Sequence, residues 1–123
     1  MKSGALRWLI CVKKRNGMAL KGHRPTAAER LHMARVADLG CIVCRNLGFG
    51  DRPCELHHVY GKTKKGTHLK VLPLCFEHHR MGSDKEPISR HPYKKRFIDA
   101  YGTEESLLNQ VDTILNESLD SYR

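Results

Sequence analysis

The stretch LCFEHHR, Leu74 to Arg80, holds Cys75 and His78 at C-x-x-H spacing and follows at once with a second histidine, His79. Upstream, Cys41 and Cys44 form a C-x-x-C pair, separated from Cys75 by the 30 residues 45–74. Three thiolates and one imidazole make a closed tetrahedral donor set, the arrangement of structural zinc. Zinc bound there contributes folding free energy directly, which suits a 123-residue chain with a modest core. A lone C-x-x-C also fits redox chemistry, but two matched half-sites bracketing one hairpin favour a metal. Of the five cysteines, Cys11 and Cys54 are left over. Cys54 reads as a semi-buried thiol, with substitution as a zinc ligand the alternative. Five cysteines cannot all pair, so the pattern argues against a disulfide framework and for a reducing cytoplasm.

Working outward, ELHHV (55–59) reads as a short strand, YGKTKKGT (60–67) as a basic turn, and HLKVLPL (68–74) as a second strand ended by Pro73. CFEHHRM (75–81) is long enough for a turn or two of helix, closed by Gly82. Thr26-Ala-Ala-Glu29 is a capping box opening a helix over 27–39, with an apolar stripe of Leu31, Ala34, Val36, Ala37 and Leu39. Gly40 can end that helix in a left-handed conformation. YKKRFIDAY (93–101) is predicted helical up to Gly102. Leu107, Leu108, Val111, Ile114, Leu115 and Leu119 recur at helical spacing over 104–119. The expected class is α+β, with residues 1–25 a basic arm or hairpin and 26–123 one zinc-stapled domain.

Charge is unevenly placed. Residues 1–30 carry eight Lys/Arg against Glu29, residues 31–100 carry 13 against seven acids, and residues 101–123 carry one against five, within a formal net charge of +9. A basic body suits a polyanion, most often nucleic acid. Lys62, Lys64 and Lys65 in the turn, Lys94, Lys95 and Arg96 at the start of the next helix, and Lys13, Lys14 and Arg15 in the lead-in are the candidate phosphate contacts. A solvated basic face is the plainer reading of each cluster. No aromatic run suggests base stacking, and ALRWLICV (5–12) is too short to span a membrane and lacks a cleavage pattern.

With His78 given to zinc, His57, His58, His79 and His91 gather around the hairpin. ELHHV, HLKVLPLC and CFEHH together resemble the ββα-metal core of HNH endonucleases, in the subgroup whose hairpin lies between zinc knuckles. More narrowly, HMARVADLGCIVCRNLGFGD, HLKVLPLCFEHHR and ISRHPYKKRFIDAYGTEESLL resemble the bacteriophage recombination-enhancement (Ref-like) proteins, which are RecA-dependent nucleases; the likeness covers about residues 32–115. It implies a small zinc-stapled HNH core with flanking helices, and a cytoplasmic phage- or prophage-encoded DNA endonuclease acting with RecA filaments on single-stranded or D-loop DNA. It implies that His57, His79 and His91 bind a catalytic divalent metal (Zn2+, Mn2+ or Mg2+) and that His58 is the general base. His68 stands where the middle Asn of HNH is expected, so an orienting role, an extra ligand and a surface position all stay open for it. Arg80, beside His79, is a candidate phosphate contact, with solvent exposure the alternative. Adjacent strand residues face opposite sides, so His57 and His58 serve one site only where the strand bends at its end. Two further readings compete: a non-catalytic zinc module that docks on DNA, and an adaptor that modulates recombination through protein contacts.

Overall fold

The computed structural model describes residues 24–120, so Lys13, Lys14, Arg15 and nearly all of the expected arm lie outside the described residues. The elements in chain order are α1 (Ala27–Leu39), α2 (Ile42–Asn46), β1 (Glu55–His58), a 3-10 turn (Thr67–Leu69), β2 (Val71–Leu74), a π-helical turn (Glu77–Met81), α3 (Lys94–Tyr101) and α4 (Glu104–Asp120). The fold is α+β, as expected.

The capping box opens α1: Glu29 N–H donates to Thr26 Oγ1 at 3.1 Å and Thr26 N–H to Glu29 Oε1 at 2.8 Å. The buried stripe of α1 is Met33, Val36 and Ala37, not one that starts at Leu31, which is 64% exposed. A stripe at i, i+3 and i+4 covers one helix face, and Leu31 falls to the side of it. Gly40 ends the helix at φ 77° but with ψ −179°, an extended arrangement rather than the left-handed helical one. That backbone brings Cys41 N–H onto Arg52 O at 2.9 Å and delivers the first knuckle.

β1 and β2 pair antiparallel, with His57 opposite Leu72 and His58 opposite Val71. Pro73 does not end the second strand. It sits inside β2, opposite Leu56, where a two-stranded sheet has a free edge and a missing N–H costs no ladder bond. β2 is buried along its whole length, packed by α1, α2 and α4. His68 and Leu69 belong to the 3-10 turn and not to the strand. Phe97 of α3 and Leu107, Leu108, Val111 and Leu115 of α4 complete the core around Val71, Leu72 and Leu74, while Leu119 is exposed.

Candidate active site

Each half of the first donor cluster comes from a tight turn. Cys41 caps α2, its Sγ accepting from Cys44 N–H at 3.4 Å, and this folds Cys44 back toward it. Cys75 and His78 come from the end of β2 and the π-helical turn. The four side chains are buried, and their donor atoms lie within 4.8 Å of one another. Zn–S and Zn–N bonds of about 2.3 and 2.0 Å at tetrahedral angles give donor–donor edges of about 3.5–3.8 Å. Cys41–His78 at 3.7 Å, Cys44–Cys75 at 3.7 Å and Cys44–His78 at 3.5 Å match those edges; Cys75–His78 at 3.1 Å is the tight one. Burial raises the Cys44 and Cys75 thiols, whereas hydrogen bonds from His78 and nearby amides hold Cys41 at about 7 against its own burial. Three thiols this close cannot all ionise without a cation between them, so the donor set fits a divalent metal. Behind it, His78 Nε2 lies 3.2 Å from Glu86 Oε2, Tyr101 Oη donates to the same carboxylate, and Ile88 N–H donates to Tyr101 Oη at 3.1 Å. A ligand imidazole is commonly oriented by such a carboxylate.

The π-helical turn separates the two neighbouring histidines. His78 points inward and is 2% exposed, while His79 is half-buried and faces the other way. The backbone of this turn also recruits the third histidine. His78 O accepts from Arg90 N–H and His79 O from His91 N–H, both at 2.9 Å, so the 83–91 loop returns His91 to the side of His79. The rings of His57, His79 and His91 form a triangle with centroid separations of 5.1–5.3 Å. One nitrogen from each lies within 4.8 Å of the others, a second group able to hold a metal ion.

Carboxylates engage two of these rings. His57 Nε2 is 2.6 Å from Glu104 Oε2, and Arg90 Nε donates to that same oxygen at 3.0 Å. Burial alone raises the Glu104 carboxyl, but the hydrogen bonds from His57 and Arg90 outweigh it and hold the group at about 2. His79 Nδ1 is 2.7 Å from Glu55 Oε1, and Glu55 is gripped by Arg80 at 3.0 and 2.8 Å. Arg80 thus lies in a half-exposed ion pair, with its guanidinium 4.8 Å from the centre of the Phe76 ring.

His58 turns away from that triangle. β1 ends at His58 and the chain bends, with Gly61 N–H donating to His58 O at 3.3 Å in a turn that Gly61 supports at φ 82°. His58 Nε2 lies 3.0 Å from His68 Nδ1. Its Nδ1 is buried and has no hydrogen-bond partner among the described residues. Burial, reinforced by Lys62, His68 and His57, lowers the His58 imidazole to about 4. His57, His58, His79 and His91 nevertheless line one open cleft of about 310 Å³, together with Leu56, Lys62 and Arg90. His68, 5% exposed, is no surface residue.

A family model described as "Recombination enhancement, RecA-dependent nuclease" matches residues 25–116. The chain belongs to this family. The match to the RecA-dependent nucleases takes in both donor clusters and all of the cleft, and the chain is accordingly a nuclease of recombination enhancement. Among the described residues, no helix is long and apolar enough to cross a membrane.

Of the basic residues, Lys62 borders the cleft, and Lys64 and Lys65 are exposed in the same turn. Lys94 and Lys95 are exposed at the start of α3, Lys94 Nζ lying 4.0 Å from Glu104 Oε1, and Arg96 donates to Asp84 O. Cys54 lies outside the four-donor cluster and bonds Ala37 O at 3.4 Å; burial pushes its thiol up to about 12, which suits the plain-thiol reading. Sequence reasoning passed over Glu55, Glu104, Arg90 and Glu86. Glu55 had a signal, since it lies two residues before His57 on the same face of a strand. Glu104 had none beyond its place in the first turn of a helix.

Proposed function

We propose that this chain is an HNH-type endonuclease that hydrolyses DNA phosphodiester bonds with a divalent cation and acts with RecA filaments in phage or prophage recombination. The observation that carries this reading is the convergence of His57, His79 and His91 beside His58, whose Nδ1 has no hydrogen-bond partner among the described residues. His57, His79 and His91 would hold Zn2+, Mn2+ or Mg2+, and Cys41, Cys44, Cys75 and His78 a structural Zn2+. A cation bound by the three histidines supplies charge stabilisation to the phosphate and the leaving 3′ oxygen. Imidazole donors favour zinc or manganese over magnesium, although phosphate oxygens and waters can complete a magnesium shell.

His58 is the general base. Nε2 lies 3.0 Å from His68 Nδ1, and the tautomer protonated at Nε2 would leave the Nδ1 lone pair to take a proton from a water that reaches it. Burial keeps the ring neutral, the form that can accept. His68 then takes the place of the HNH Asn as the group that orients the base. The water attacks phosphorus opposite the 3′ oxygen, giving 5′-phosphate and 3′-hydroxyl ends. Lys62, Lys64 and Lys65, Lys94, Lys95 and Arg96, and Lys13, Lys14 and Arg15 hold the DNA backbone. Arg80 contacts phosphate with the Nη1 edge that Glu55 leaves to it.

The test is cleavage of labelled single-stranded and D-loop DNA with Mn2+ or Mg2+, with and without RecA and ATP, with zinc content measured throughout. Cleavage that needs the filament and falls about 10²–10⁴-fold in His58→Ala, at unchanged zinc content, is the expected result. Equal cleavage by His58→Ala overturns the mechanism. Binding without cleavage under every condition moves the chain to a non-catalytic DNA-docking or adaptor module.

A further inference from the structure

Two carboxylates reach the histidine triangle from different elements, Glu104 from α4 and Glu55 from the first position of β1. They engage opposite nitrogens, Nε2 of His57 and Nδ1 of His79. We propose that Glu104 and Glu55 are positioning residues that fix His57 and His79 in the complementary tautomers and ring orientations needed to bind a second metal ion. This rests on the reading that His57, His79 and His91 hold that ion.

A carboxylate can only accept, so the nitrogen facing it carries the proton and the other keeps its lone pair. Glu104 therefore leaves Nδ1 of His57 as the donor, and Glu55 leaves Nε2 of His79. For His79 this is the less populated tautomer of free histidine, so Glu55 selects it as well as orienting it. Glu104 contributes more than orientation. It is 5% exposed, and the oxygen that meets His57 also accepts from Arg90, whose guanidinium borders the same cleft. Without that negative charge, the cleft would present Arg90 to an incoming cation with nothing to offset it. His91 is exposed and has Arg90 Nη1 at 3.5 Å, with no carboxylate bonded to its ring among the described residues. The ligand set is thus two oriented imidazoles and one looser one, and α4 is part of the metal site although it contributes no ligand.

The experiment titrates protein holding one zinc per chain with Mn2+, read by the loss of the free Mn2+ signal in electron paramagnetic resonance. Wild type, Glu104→Gln and Glu55→Ala are compared, with zinc content and circular dichroism melts confirming that each is folded. Glu104→Gln keeps the shape and an acceptor oxygen but removes the charge, and Glu55→Ala removes the acceptor at a half-buried position. Glu55→Ala should bind Mn2+ about 10–100-fold more weakly than wild type, the usual cost of losing an outer partner of a ligand histidine. Glu104→Gln should also bind it more weakly, because its neutral acceptor leaves the Arg90 charge unopposed. Ring 15N chemical shifts of the wild type before Mn2+ addition give a readout that needs no variant. Protons on His57 Nε2 and His79 Nδ1 are expected, and the opposite tautomers overturn the proposal. Unchanged Mn2+ affinity in both variants overturns it while leaving the second metal site standing. A wild type that binds no ion beyond one zinc per chain overturns both.

Discussion

His68 carries the clearest consequence for a single residue. Its Nδ1 sits 3.0 Å from His58 Nε2, and both groups are largely shielded from water. Removing the imidazole takes away the partner of His58 Nε2 and lets the His58 ring rotate. One neutral hydrogen bond is worth about 1 kcal/mol, which corresponds to a five- to ten-fold fall in rate. His68→Ala should therefore lower kcat by about that factor with little change in KM, and His68→Asn should restore much of it, because an amide oxygen can accept from the same N–H. Steady-state cleavage kinetics of the two variants check this, and equal loss in both would mean that His68 only fills space. At this scale the side chains of the two clusters that could hold a metal ion were legible. The knuckle spacing pointed to Cys41, Cys44, Cys75 and His78, and the resemblance pointed to His57, His79 and His91. Glu104 was not legible, because 47 residues separate it from His57 and an acid in a helix's first turn already has a sufficient local reason to be there.

Among the elements, the π-helical turn Glu77–Met81 does the most with the fewest residues. It sends His78 into the Cys3His cluster and His79 into the cleft, and it gives up two carbonyls to position His91. Gly82 closes it, and the space there is tight. A Cβ at Gly82 would meet Pro87 O, Glu77 O at 2.6 Å and Ser89 N at 3.0 Å, all backbone atoms that cannot swing aside. Overpacking of this kind costs about 1–3 kcal/mol. Gly82→Ala should lower Tm on the order of 5–15 °C, read by circular dichroism. It should also weaken Mn2+ binding, since the turn carries one potential donor to each cluster. Removal of a zinc held by the Cys3His cluster would act on the same turn. A strong chelator, or Cys75→Ser, should abolish the cooperative melt, because without a cation the buried donors Cys41, Cys44, Cys75 and His78 have nothing to hold α2 against the end of β2. A cooperative melt unchanged by complete zinc loss would show that the apolar core suffices. Helices α1, α3 and α4 were readable because capping and periodicity are local signals. The π-helical turn and Pro73 inside β2 were not, since both depend on partners that only tertiary packing supplies.

Over the whole molecule, charge is distributed around the cleft. Positive side chains lie in the Lys62–Lys65 turn, whose Lys62 borders the cleft, and at the start of α3, where Lys94 Nζ is 4.0 Å from Glu104 Oε1. The acids nearest the histidines, Glu55 and Glu104, are already paired with Arg80 and Arg90. The carboxylates beside the histidines are thus paired internally while the turn leaves a cationic rim, so a phosphate backbone would be attracted to that rim. The turn lysines are exposed, and none is within ion-pair distance of an acid among the described residues, so their charge is available to a polyanion. Binding through them should follow counterion release, in which each phosphate neutralised on a single strand contributes about −0.7 to the slope of log K against log salt. Replacing Lys62, Lys64 and Lys65 together by Ala should make that slope about 2 shallower for single-stranded DNA. Zinc content and Mn2+ affinity should stay near wild type, because none of the three touches a donor. Fluorescence anisotropy across a salt series measures the slope directly. A triple variant whose slope matches wild type would return this turn to an ordinary solvated face and shift the DNA path toward Lys94, Lys95 and Arg96, where the same substitution series should then produce the loss.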